Sequence, residues 1–324
     1  MCSTGVLVAR TCVVLMCLVA VARAPAKVHA AGTGDGLLVV PTNASLAHCP
    51  SRCGAVEISY PFGIGPGCFR QGFELTCDNT TGSPRLFLAN SSTQVTSIDV
   101  GSNYVHASPV EYNITMGLGV DTYTQSWEAP TGVIIDEDNY LYIVGCGVDV
   151  YMFGDNETDA IGSCMSICTD SREIMETANV GTGACQGFGC CYIWLSISGR
   201  QAFTLELRRR NSTIPQLLDE DLSRVKVIFT KYYNFAIGDL NASWVDTTNV
   251  NDMALDIAIT DQPSCASAQS QENKRTYACN NESICSDLPL SRGGYSCSYP
   301  GQIGNPYIED GCIQGSCFLC FFFT

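Results

Sequence analysis

Basic residues are scarce in this sequence. Seventeen Lys and Arg stand against 32 Asp and Glu in 324 residues, a net charge of −15. Nucleic-acid binding needs a basic footprint, so this balance argues against a nucleic-acid partner. Histidine is scarcer still: of three, only His48 and His106 lie beyond the first 30 residues. With no serine in a nucleophile elbow, a Ser-His-Asp hydrolase has little support. A glycosidase needs two carboxylates held across a cleft, and the mere abundance of acids does not supply that arrangement. No set of residues takes complementary catalytic roles, so the expectation is a protein that is not an enzyme.

Apolar runs long enough to cross a bilayer are also missing. Thr11 to Ala22 follows Arg10 and is too short for a spanning helix, which needs about 20 residues. It reads as the apolar part of a signal peptide over residues 1–30, with cleavage after Ala30 or Ala31 behind Val28-His29-Ala30. The alternative is an uncut anchor. Either way the rest of the chain faces an oxidising space. Removing the three basic residues of that segment leaves 14 basic against 32 acidic, a net −18.

Cysteine, by contrast, is plentiful. Of the 20, Cys2, Cys12 and Cys17 fall in the signal, leaving an odd 17. Ten of them (Cys49, Cys53, Cys68, Cys77, Cys146, Cys164, Cys168, Cys185, Cys190 and Cys191) precede a gap that lasts until Cys265. An even set can close on itself as disulfides. Adjacent Cys190 and Cys191 are expected to take separate partners, since neighbours do not easily meet disulfide geometry. Spacing does not give the connectivity. Glycosylation acceptors stand at Asn43, Asn79, Asn90, Asn113, Asn156, Asn211, Asn241 and Asn281, each predicting a solvent-facing position in a secreted glycoprotein.

Between the cysteines the pattern is mostly strand. Val56, Ile58 and Tyr60 alternate with polar residues, and β-rich runs occur at residues 132–135, 140–144 and 225–229. Helix is expected only in short pieces, from Ser171 to Ala178 and from Pro215 to Arg224. The fold class is therefore mainly β and disulfide-rich.

Cys49-Pro50-Ser51-Arg52-Cys53-Gly54, leading into Ile58-Ser59-Tyr60-Pro61-Phe62-Gly63-Ile64-Gly65 and Cys68, resembles the extracellular galacturonan-binding region of plant wall-associated receptor kinases. The resemblance continues through Phe73-Glu74-Leu75-Thr76-Cys77, Gly145-Cys146, the Cys164 and Cys168 pair, and Gly187-Phe188-Gly189-Cys190-Cys191. It also takes in residues 253–259, where the family pattern has a tryptophan in place of Ile257. Cys265, Cys279, Cys285, Cys297 and Cys312 have spacings similar to an EGF-like module. The fifth cysteine of that pattern is replaced by Tyr299, leaving Cys312 to pair with Cys317 or Cys320 or to remain a thiol.

The organisation expected is a signal peptide (1–30), a linker (31–48), a galacturonan-binding-like domain (49–260), a degenerate EGF-like module (265–312) and a divergent tail (313–324). The acidic cluster of a calcium-binding module is absent before Cys265 and around Cys317. Neither metal nor cofactor is expected, since Cys317 and Cys320 lack a second ligand pair for zinc. The tail is too short for a membrane span and no kinase domain follows. That fits a soluble secreted relative of the receptors, or a truncated, non-functional product.

The resemblance implies binding of cell-wall pectin. The glycine loop after Tyr60 lacks the following helix and Lys of a phosphate cradle and reads as a disulfide-stapled turn. Tyr60 and Phe62 either stack on sugar rings or fill the core. Because polygalacturonate is an anion and so is this chain, binding needs a local basic patch. Arg208-Arg209-Arg210, with Lys226 near in sequence, is the candidate, its guanidiniums suited to bidentate contacts with carboxylates. Against it stands an ordinary solvated face. Calcium bridging through Asp136, Glu137 and Asp138, or Asp219, Glu220 and Asp221, is the other route. A soluble decoy that binds receptor ectodomains is the rival function, separable by sugar competition.

Overall fold

The computed structural model describes residues 36–80, 82–116, 121–154, 158–178, 185–195, 199–210, 224–245, 250–289, 293–301 and 303–312. The expected signal peptide, Asn156, Asn211, the expected helix from Pro215 up to Arg224, Asp219 to Asp221, Cys317 and Cys320 lie outside these residues. The described residues fall in one compact unit.

The chain opens with a helical turn α1 (Asn43–Leu46) capped by the Thr42 side chain. A hairpin of β1 (Arg52–Cys53) and β2 (Val56–Glu57) follows. The alternation of Val56, Ile58 and Tyr60 suggested a longer strand. It ends after Glu57 because the chain turns at residues 59–62, where the Phe62 N–H bonds back to the Ser59 carbonyl and Pro61 has no N–H to extend a ladder.

Next come β3 (Leu75–Asp78), β4 (Arg85–Leu88), β5 (Gln94–Asp99), β6 (Tyr104–Ala107), β7 (Val110–Thr115), β8 (Thr122–Glu128), β9 (Val133–Ile135), β10 (Tyr140–Val144), β11 (Val148–Phe153) and β12 (Gly162–Ser166). Helix α2 (Arg172–Ala178) precedes β13 (Cys190–Trp194), β14 (Ala202–Arg209), β15 (Arg224–Thr230) and β16 (Met253–Ile257). A short helix α3 (Cys265–Ala268) and a hairpin of β17 (Ile284–Asp287) and β18 (Tyr295–Ser298) close the described chain.

All strand pairs are antiparallel. The larger sheets run β3-β4-β5-β6-β16-β9, β13-β10-β15-β7 and β12-β11-β14-β8. Period-2 alternation sends Phe203, Leu205 and Leu207 of β14 inward, with Val148, Val150 and Met152 of β11. These meet Leu141, Ile143, Val225 and Val227 of the second sheet and Leu75, Leu86, Val105 and Leu255 of the first in one core. Trp127 binds the layers together, with ring centroids 5.9 Å from Phe203 and 5.0 Å from Phe229.

The β10/β15 sheet is covered on both faces. Tyr142, Val144 and Ile228 point away from the main core into a second cluster closed by Met175, Tyr233, Phe235 and Leu240. Strand β15 is accordingly buried at six consecutive residues, Val225 to Thr230.

Ten cysteines pair among themselves, as Cys49–Cys68, Cys53–Cys77, Cys146–Cys168, Cys164–Cys191 and Cys185–Cys190. Cys190 and Cys191 take separate partners. Toward the C-terminus, Cys265–Cys285 and Cys279–Cys297 interleave. Cys312 is also disulfide-bonded, which removes the free-thiol alternative. Six of the named bridges close loops of 18 to 27 residues, each worth ~3 kcal/mol of unfolded-state entropy.

The residues after 260 share the main core, which includes Ala268, Cys279, Tyr295, Cys297, Tyr307 and Ile308. Arg70 stitches the parts together. It is 2% exposed, donating to Asp261 Oδ2 at 2.6 Å, to the Thr276 carbonyl at 2.5 Å and to the Leu38 carbonyl. Tyr307 Oη donates to Asn103 Oδ1 at 2.8 Å, and Asn305 Nδ2 to the Tyr60 carbonyl at 2.6 Å. Residues 36–43 lie in the same seam, Leu37 bridging to Arg70 and Asn43 bonding to Asp310. Tyr299, standing where a cysteine was expected, is buried and hydrogen-bonded to Asn280 Nδ2 through its hydroxyl.

Candidate functional site

The stretch Tyr60 to Cys68 is the stapled turn. Gly63 is required by close approach: a Cβ there would sit 1.9 Å from the Cys68 carbonyl oxygen. Gly65 and Gly67 take φ of +86° and +75°, left-handed positions that favour glycine. Tyr60 is 4% and Phe62 1% exposed, and Phe62 meets Phe73 edge-to-face at 5.1 Å. Burial pushes the Tyr60 hydroxyl up to about 12. Both rings are therefore core residues, not open stacking faces. Beside them lies a cavity of about 350 Å³. Its wall carries Asn43, Ser51, Ser59 and Asn305 but no Lys or Arg, so it offers no cation to a uronate.

The arginine run ends β14 and is split by the strand period. Arg208 points outward: its guanidinium lies 4.7 Å from the Tyr151 ring centroid, and Nε donates to Glu206 Oε1 at 2.5 Å. Arg210 lies beyond the strand's end and binds Asp149 Oδ1 at 2.9 Å. Arg209 is less exposed and reaches the Met116 carbonyl at 3.0 Å. The outer face thus carries Arg208 and Arg210 interleaved with Glu206 and Asp149. A ligand carboxylate must compete with those partners.

Lys226 is corrected outright as a surface contact. It is 1% exposed, and its Nζ donates to the Asp239 carbonyl oxygen under the segment that covers β15. Burial pushes its pKa down. An ammonium so placed does not reach a polysaccharide.

The acids at 136–138 cluster against β16. Asp136 Oδ1 accepts from the Asp138 N–H at 2.9 Å, and Lys231 Nζ is 3.0 Å from Asp138 Oδ2. Asp256, opposite Tyr104 and Ile134 in the sheet, is pushed up to about 7. Burial is the main cause, followed by the Asp136 charge and a hydrogen bond to its carboxyl. Burial and the same acids push Tyr104 up to about 12. His48 sits 3.7 Å from both sulfurs of Cys49–Cys68, but bridged sulfurs are not metal ligands. The six described acceptor asparagines, Asn43, Asn79, Asn90, Asn113, Asn241 and Asn281, are all exposed.

Sequence reasoning missed an aromatic group on β10 and β13. Tyr140 lies opposite Trp194 and Tyr142 opposite Tyr192. The only sequence signal is a pair of aromatic-x-aromatic steps about 50 residues apart.

These features define a mainly β, disulfide-cross-linked protein, and the described residues hold no kinase fold. Residues 49–109 match the family described as wall-associated receptor kinase galacturonan-binding. That stretch is a galacturonan-binding-type domain homologous to those of plant wall-associated receptor kinases.

The chain is similar to wall-associated receptor kinase 4 of Arabidopsis thaliana, at 27% identity over 83% of this chain and 34% of the relative. It is also similar to wall-associated receptor kinase-like 6 of that plant, at 24% identity over 82% and 44%. Wall-associated receptor kinase 2 gives 28% identity over 82% and 34%. The match thus spans less than half the length of these relatives. No solved structure matches. No helix among the described residues is long and apolar enough to cross a membrane.

Proposed function

We propose that this chain binds pectic polysaccharide outside the cell without catalysis. The observation that carries the reading is the match of residues 49–109 to a galacturonan-binding family. The uronate contacts are Arg208 and Arg210, whose side chains are 52% and 40% exposed on one sheet face beside Tyr151. Charge-assisted, bidentate contacts suit carboxylates, and two guanidiniums on one face suit a polymer that repeats them. Arg209 positions the strand end through Met116, and residues 265–312 act as an EGF-like module that braces the domain.

The test is titration of the secreted, glycosylated chain with galacturonate oligomers, with and without calcium, against a neutral glucan. Saturable binding to the uronate, weakened by Arg208→Ala and Arg210→Ala, is expected. Absence of binding in both conditions overturns the reading.

A further inference from the structure

The aromatic group on β10 and β13 takes no part in the arginine site. Its members sit on adjacent strands, and the register places Tyr140 beside Trp194 and Tyr142 beside Tyr192. Tyr140 and Trp194 lie within 19° of parallel, with centroids 6.4 Å apart, while Tyr192 meets Tyr140 edge-on at 5.6 Å. Tyr142 is buried behind them, touching Tyr140, Tyr192 and Tyr233. Trp194 is 55% and Tyr192 45% exposed.

This cluster is held in place. The Trp194 indole N–H donates to the Glu137 carbonyl at 3.0 Å, which fixes the ring and consumes its polar group. Two disulfides, through Cys190 and Cys191, anchor the start of the same five-residue strand. Rings ordered in advance lose little entropy when a ligand arrives.

We infer that Tyr140, Tyr192 and Trp194 form a stacking platform for pyranose rings of methyl-esterified galacturonan. The inference rests on the pectin reading and adds a second subsite to it. One face of a pyranose ring presents C–H groups, which pack on the electron-rich face of an aromatic ring.

Size separates this occupant from a protein. The exposed parts of Trp194 and Tyr192 amount to on the order of 250 Å², below the roughly 300–600 Å² of the largest apolar patch on a typical monomer, beyond which patches mark protein-docking surfaces. That area suits one or two sugar rings.

Charge selects the esterified form. The platform adjoins Glu137 and, through it, Asp136 and Asp138, and the nearby cation Lys231 is already held by Asp138. A free uronate is repelled there, whereas a methyl ester carries no charge.

The experiment compares wild-type chain, Trp194→Ala, Tyr192→Ala and the Arg208→Ala/Arg210→Ala double variant against esterified and de-esterified galacturonan oligomers. Removing one stacked ring is expected to weaken binding of the esterified oligomer by about tenfold, leaving the de-esterified form within about twofold. The arginine variant is expected to show the reverse pattern. In the wild type, esterified oligomer is expected to change tryptophan fluorescence, a change lost in Trp194→Phe although that variant keeps a ring and the fold.

If the wild type binds both forms and neither aromatic variant alters the esterified titration, the platform is overturned and the pectin reading stands. If the wild type binds neither form, both fall. If the aromatic variants instead abolish a dimer seen in sedimentation, the surface is a self-contact and the proposal is wrong.

Discussion

Asp256→Asn isolates a carboxyl that the fold keeps protonated. In the folded chain Asp256 is pushed up to about 7 from an ordinary value of 3.8, by burial first and then by Asp136, Glu137 and Asp138. The folded state therefore holds this proton more tightly than the unfolded state. Its contribution to stability is fully present below about pH 4, falls as pH rises toward 7, and is flat beyond. Roughly three pH units at 1.36 kcal/mol each set an upper bound of about 4 kcal/mol on the loss.

Asparagine keeps the shape and an N–H donor for Asp136 but does not ionise. Urea unfolding with disulfides intact, at pH 4 to 8, is the assay. The difference between wild type and variant cancels the other carboxylates, including Asp78, which Thr80 and Arg85 push the opposite way. The variant is expected to gain on the wild type steadily from pH 4 to 7. Parallel curves across that range refute the raised pKa of Asp256.

Three further outcomes follow from the packing. Arg70→Met leaves Asp261 and two carbonyls without their donor, and a loss of about 3–5 kcal/mol is expected in denaturant titration. Lys226→Met is expected to lower the melting temperature, while oligogalacturonate affinity per folded molecule stays unchanged; a specific loss of affinity would restore Lys226 as a contact. Tyr299→Phe removes the acceptor of a buried Asn280 donor and is expected to cost about 1–3 kcal/mol in thermal unfolding.

The strands at Val133–Ile135, Tyr140–Val144 and Arg224–Thr230 and the helix Arg172–Ala178 were legible because each is a local pattern. Lys226 was not. Alternation along β15 puts it opposite Val225 and Val227, the polar side of a half-buried strand. Only the chain returning through Tyr233 to Val245 makes that side an interior. The split of Arg208 from Arg209 was legible in principle, since a two-residue period follows from calling the segment a strand. The aromatic group was not, because Tyr140 and Trp194 meet only through a pairing of segments far apart in sequence. Asp256 gave no sign of its raised pKa either, which arises from the register of β16 with β6 and β9.

The seam around Arg70 bears on how this protein can be shortened. A cut near residue 260, where the cysteine pattern suggests a boundary, removes Asp261 and Thr276 and strands a guanidinium inside the fold. It also strips Tyr307 and Asn305 from Asn103 and the Tyr60 carbonyl. A polypeptide ending there lacks the partners of a buried guanidinium and is expected to fold poorly, not to form a smaller stable domain.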